Sequence, residues 1–71
     1  MNRDKIRLAL AVISGRKTEF SPGDYATLGY DTYKFGYYGA PALDEVRKNA
    51  EDIVYYLLET VALSLEDHET R

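Results

Sequence analysis

The chain has 71 residues, no cysteine, one histidine and a net charge of −3. That leaves room for one domain and excludes disulfides, thiolate metal sites and thiol nucleophiles. An acidic whole also argues against a duplex-DNA partner, whose affinity comes from neutralised phosphates.

A domain this small buries only about 60% of its unfolded surface and usually needs a further staple. His68 alone cannot supply a structural zinc site. No metal or cofactor is expected, and self-association is the staple that remains. The longest charge-free runs in the helical segments, residues 8–15 and 53–58, fall far short of the ~20 residues a membrane span requires. The start, MNRDKIRLALAVISGR, has the basic opening and apolar run of a signal peptide. Asp4 and Arg7 interrupt that run, so an amphipathic helix and a cytoplasmic location are expected.

Helix 1 is expected over about residues 3–14. Asn2 is its N-cap and Asp4 sits in its first turn. Ile6, Ala9, Leu10 and Ile13 share one face, Leu8 and Val12 form a second stripe, and Gly15 ends the helix. In SPGDYATLG, Ser21 caps, Pro22 suits N1 and Asp24 at N3 completes a short-armed capping box, giving a short helix over about 22–28 that Gly29 ends. Its backbone N–H groups could instead hold an anion, but Ser21 and Asp24 already occupy that place.

The aromatic connection, residues 29–40, is ambiguous. Tyr33, Phe35 and Tyr37 alternate as in a strand, while Gly36 weakens any regular element. An ordered loop is the reading adopted. Helix 2 is expected over about 41–67, with Pro41 at N1 and Asp44 and Glu45 at its electrostatically favoured end. Ile53, Leu57, Leu58, Val61 and Leu65 fall on two adjoining stripes, too wide for helix 1 to cover alone. These five are assigned to an oligomer core. The expected fold is all-α: a helical hairpin with a long Tyr/Gly-rich connection, assembled as a homo-oligomeric helical bundle, a dimer or higher. Residues 1–20 carry a charge of +3 and residues 44–71 carry −5. A basic helix lying against an acidic one accounts for that asymmetry.

Seven aromatic residues lie between Phe20 and Tyr38. A connection of 26 residues needs apolar contacts of its own to stay ordered, so packing explains part of this content. One of Tyr55 and Tyr56 is expected to pack beneath the connection as it folds back onto the middle of helix 2, and the LEDHETR tail to be solvated. The functional reading assigns Tyr30, Tyr33, Lys34, Phe35, Tyr37 and Tyr38 to a binding surface. Tyr and Gly together give rigid aromatic area on a closely approachable backbone, and tyrosine is frequent among interface hot spots. The chain then reads as a small non-catalytic regulatory or inhibitory protein that engages a protein partner.

The alternative is sequestration of a small phosphate-bearing nucleotide at a subunit interface. Tyrosines would stack on the base, and Arg16, Lys17 or Arg47 would contact phosphate. That plan is similar to small phage proteins that sequester nucleotide signals, acting as sponges against host defence.

Residues 50–67, AEDIVYYLLETVALSLED, resemble the metal-bearing helix of MazG-like nucleotide pyrophosphohydrolases over less than a third of the chain. The resemblance would imply Mg²⁺-dependent phosphate chemistry. That family pairs E-x-x-E on one helix with E-x-x-D on another, whereas helix 1 offers only Asp4, and Glu51 and Asp52 point in different directions. Ser14, Ser21 and Ser64 have no base at hand, so no catalysis is expected.

Overall fold

The computed structural model describes residues 3–69, with side-chain surroundings for residues 3–66. The expected N-cap Asn2 and the tail side chains from Asp67 onward lie outside that description. The described residues are all-α. Helix α1 spans Arg3–Ile13 and α2 spans Pro22–Thr27. A 3-10 turn, Thr32–Lys34, runs directly into α3, Phe35–Tyr38, and the long α4 spans Leu43–Glu69. No helix among the described residues is long and apolar enough to cross a membrane.

The ends of the first two helices follow from local chemistry. After α1, the Gly15 N–H donates to the Val12 carbonyl at 3.1 Å and the Arg16 N–H to the Ala11 carbonyl at 3.0 Å. This is a Schellman ending, and Gly15 takes the positive φ of 77° that it requires. α2 ends the same way. The Gly29 N–H donates to the Ala26 carbonyl and the Tyr30 N–H to the Tyr25 carbonyl, both at 3.0 Å, with Gly29 at φ 98°. Its start is the capping box read from the sequence. The Ser21 hydroxyl accepts from the Asp24 N–H at 3.1 Å, and the Asp24 carboxylate accepts from the Ser21 N–H at 2.9 Å. That backbone hydrogen bond is the main reason the Asp24 carboxyl lies below its usual pKa, and Lys17 at 3.2 Å adds to it.

The direction of the two long helices departs from a hairpin. Ile13, at the end of α1, lies in one groove with Val54 and Leu58. Near the start of α1, the Lys5 ammonium reaches Gly29, and Gly29 shares a cleft with Ala42 and Glu45 at the start of α4. The helices therefore run in the same sense. A hairpin would need only a short turn, whereas a parallel pair must carry the chain back along the helix it has just built. That return is why the connection is long. It also sets two positive helix ends side by side, and Asp4, Asp44 and Glu45 in the first turns offset them.

The core is small: Ala9 and Val12 of α1, Leu28 after α2, and Val46 and Ala50 of α4. Leu8, Phe20, Tyr25, Tyr30, Ile53 and Val54 pack around it. The side-chain amide of Asn49 donates to the Leu28 carbonyl at 3.2 Å, which ties the connection to α4.

Helix α4 begins at Leu43, not at Pro41. The Ala42 carbonyl accepts its first bond from the Val46 N–H at 3.0 Å. That bond makes Ala42 the cap, so Pro41 belongs to the approach to the helix. With 27 residues, α4 is about 40 Å long, against about 16 Å for the 11 residues of α1. Its C-terminal half therefore projects as an arm, and the molecule measures 52 × 23 × 18 Å. Of the five residues assigned to an oligomer core, Leu58, Val61 and Leu65 are exposed on this arm, and Ile53 and Leu57 are half-buried at its root.

Candidate binding surface

The aromatic connection is neither a strand nor an irregular loop. Asp31 caps the 3-10 turn, its carboxylate accepting from the Tyr33 N–H at 3.2 Å. With the turn and α3 continuous, the period-two residues Tyr33, Phe35 and Tyr37 leave the single face a strand would give them. Tyr33 and Tyr37, four apart, come together on the outside with ring centroids 6.1 Å apart. Phe35 turns inward and meets Tyr25 edge-on at 4.9 Å and Tyr30 at 6.4 Å.

The aromatic residues thus separate into two sets. Phe20, Tyr25, Tyr30 and Phe35 form a continuous inner cluster, with Phe20–Tyr25 at 5.5 Å and Tyr25–Tyr30 at 6.0 Å. These half-buried rings hold the connection onto the core. Tyr33, Tyr37 and Tyr38 form the outer set and are 77%, 74% and 85% exposed. Tyr38 lies 6.5 Å from Tyr37. The packing and binding readings of this stretch therefore apply to different residues.

Behind the outer set is an open cleft of about 470 Å³, lined by Tyr30, Lys34, Phe35, Tyr38, Pro41 and Glu45 among others. Asp31 lines it too, so Lys34 shares the cleft with two carboxylates. Arg16, Lys17 and Arg47 do not line it. Arg16 Nε donates to Ser14 Oγ at 2.8 Å, Lys17 pairs with Asp24, and the Nε of half-buried Arg47 is buried without a hydrogen-bond partner. One subunit therefore does not assemble the expected phosphate contacts around the tyrosines. Ser14 and Ser21 hydroxyls are likewise engaged in helix-end contacts.

The connection folds back onto the first turns of α4, not onto its middle. Tyr55 and Tyr56 are both exposed, so neither packs beneath it. The offset follows from the parallel pairing, which returns the chain to the start of α4.

The Tyr30 hydroxyl is buried beside the core, near the Asn49 side chain, which partly offsets its pKa shift but makes no well-formed hydrogen bond with it. Burial, and after it the nearby Glu45 carboxylate, raises its pKa above the ordinary tyrosine value. A raised folded pKa means that the folded state holds this proton more tightly. Its stabilising contribution is complete below about pH 10 and disappears as pH rises through the shifted value. In a spectrophotometric alkaline titration, Tyr30 is expected to ionise late, above the ordinary tyrosine value. Tyr30→Phe should remove that late step and leave the melting temperature unchanged or higher, since it deletes an unsatisfied buried hydroxyl. A lowered melting temperature would show that the hydroxyl is bonded after all.

Comparison with protein-family models, with curated proteins and with solved structures gives no match for this chain. Its functional reading rests on its own geometry.

Proposed function

We propose that this chain is a small, non-catalytic binding protein of regulatory or inhibitory type. It engages a protein partner through the outer face of its tyrosine turn and works as a homo-oligomer. One observation carries the reading: three tyrosines stand almost fully exposed on a short helical turn that a separate set of aromatics braces from behind. Exposed rings on a braced backbone offer contact area at little entropic cost, and tyrosine is among the residues that dominate interface energies. A nucleotide pocket draws less support, because Lys34 shares the cleft beside the turn with the carboxylates of Asp31 and Glu45.

The test is affinity capture from the cells that encode the chain. Wild type is compared with a variant in which Tyr33, Tyr37 and Tyr38 are all alanine. The variant should keep its helical circular dichroism and lose the captured protein. Equal capture by both would remove the tyrosine turn from the interface. Native mass spectrometry of the gently purified protein is the complement. A few hundred daltons of small molecule retained per site would favour sequestration over a protein partner.

A further inference from the structure

The α4 arm carries a helix-pairing seam that, beyond Val54, has no partner among the described residues. Val54, Leu58, Val61 and Leu65 follow one another at spacings of four, three and four residues, which is the repeat that keeps one edge of a helix facing another. The seam continues the side of α4 that covers the core through Val46 and Ala50. It is abandoned where α1 ends. Leu58, Val61 and Leu65 are 56%, 47% and 58% exposed. At the junction, Ile13, Glu51, Val54, Tyr55 and Leu58 line a groove of about 330 Å³.

We propose that the occupant of this seam is the arm of a second copy, running antiparallel and related by a two-fold axis midway between Leu58 and Val61. The inference rests on the self-association in the reading above and specifies its geometry. In that register, Leu58 of each copy meets Val61 of the other, and Leu65 meets the other copy's Val54 in the groove beside Ile13. α1 and the incoming arm then cover successive halves of the same apolar side of α4.

Charge supports this occupant over an unrelated helix. The last turns of each arm carry Glu66, Asp67 and Glu69 in sequence, and the chain just after α1 carries Arg16 and Lys17, the latter also paired with Asp24. The antiparallel register brings that acidic end to that basic end twice, whereas a parallel register would set the two acidic ends together. Stable interfaces begin at about 1,200 Å² in total, or about 600 Å² per copy, so the contact draws on the flanks of the seam as well as on Leu58, Val61 and Leu65.

The chain has no cysteine, so single cysteines report the register directly. Under mild oxidation Val61→Cys should cross-link to a dimer in high yield. Leu65→Cys should stay uncrosslinked, because the antiparallel register separates its two copies by about 16 Å along the axis, against about 4–5 Å for Val61. Light scattering should give twice the chain mass of 8.1 kDa for wild type. Val61→Lys should be monomeric with its helical circular dichroism retained, since Val61 has no place in the subunit core. A monomeric wild type at tens of micromolar, or cross-linking of Leu65→Cys as strong as that of Val61→Cys, would overturn the proposal. These readouts do not involve the tyrosine turn. Loss of partner capture in an intact dimer speaks only to the turn, and a monomer that still captures its partner speaks only to the seam.

Discussion

Val46→Asp is expected to abolish the cooperative thermal transition and most of the helical circular dichroism. Val46 is fully buried, in a cluster with only four other buried side chains: Ala9, Val12, Leu28 and Ala50. Among the described residues no other element offers a second core. A single core in a chain this short supplies no more than roughly 3–5 kcal/mol of net stability. A carboxylate placed there either stays charged without a partner or takes up a proton, and each route costs several kcal/mol. The penalty matches or exceeds the whole stability. Leu63→Asp on the same helix is the control, because Leu63 is 55% exposed and should shift the midpoint by only a few degrees. A Val46→Asp protein that melts like wild type would show that α1 and α4 do not pair through this site.

Phe35→Ala should produce the next largest loss. Phe35 joins the inner aromatic cluster through Tyr25 at 4.9 Å and Tyr30 at 6.4 Å. Full burial of such a ring is worth about 3–5 kcal/mol against alanine. Phe35 is half-buried, so a loss of about 2 kcal/mol is expected. In a domain of this size that lowers the melting temperature by roughly 8–16 °C. Tyr37→Ala, two residues along, should change it by less than about 2 °C, because its ring stands in solvent against Tyr33 and Tyr38. Differential scanning calorimetry of the two variants separates the inner set from the outer one. If Tyr37→Ala were the more damaging change, the exposed tyrosines would be packing residues and the proposed interface would lose its basis.

The two sets were not separable in the sequence. Tyr30, Tyr33, Lys34, Phe35, Tyr37 and Tyr38 stand out together because aromatic and glycine residues crowd one short stretch. Their alternation suggested a strand, and only the helical turn decides which rings point inward. The turn is set by Asp31 as its cap and by Phe35 docking on Tyr25. The first contact is local and the second depends on α2 already being in place. Tyr55 and Tyr56 failed as expected supports for a related reason: where the connection lands on α4 depends on the direction in which α1 lies.

What the sequence by itself determined is the existence of α1, α2 and α4 and most of their ends, while the 3-10 turn and α3 read as loop. Ser21 with Asp24, and Gly15 and Gly29 in their endings, act through bonds to residues no more than five positions away. Chemistry of that range is written in consecutive letters. The excess of apolar surface on the second long helix was legible too, since α1 is too short to cover it. The parallel sense of α1 and α4, the small core at one end and the projecting arm were decided only in the tertiary structure. An apolar stripe has the same spacing whether its partner runs up or down. What distinguishes the two is whether Leu28 and the inner aromatics can close over Val46 and Ala50, and those contacts join residues far apart in the chain.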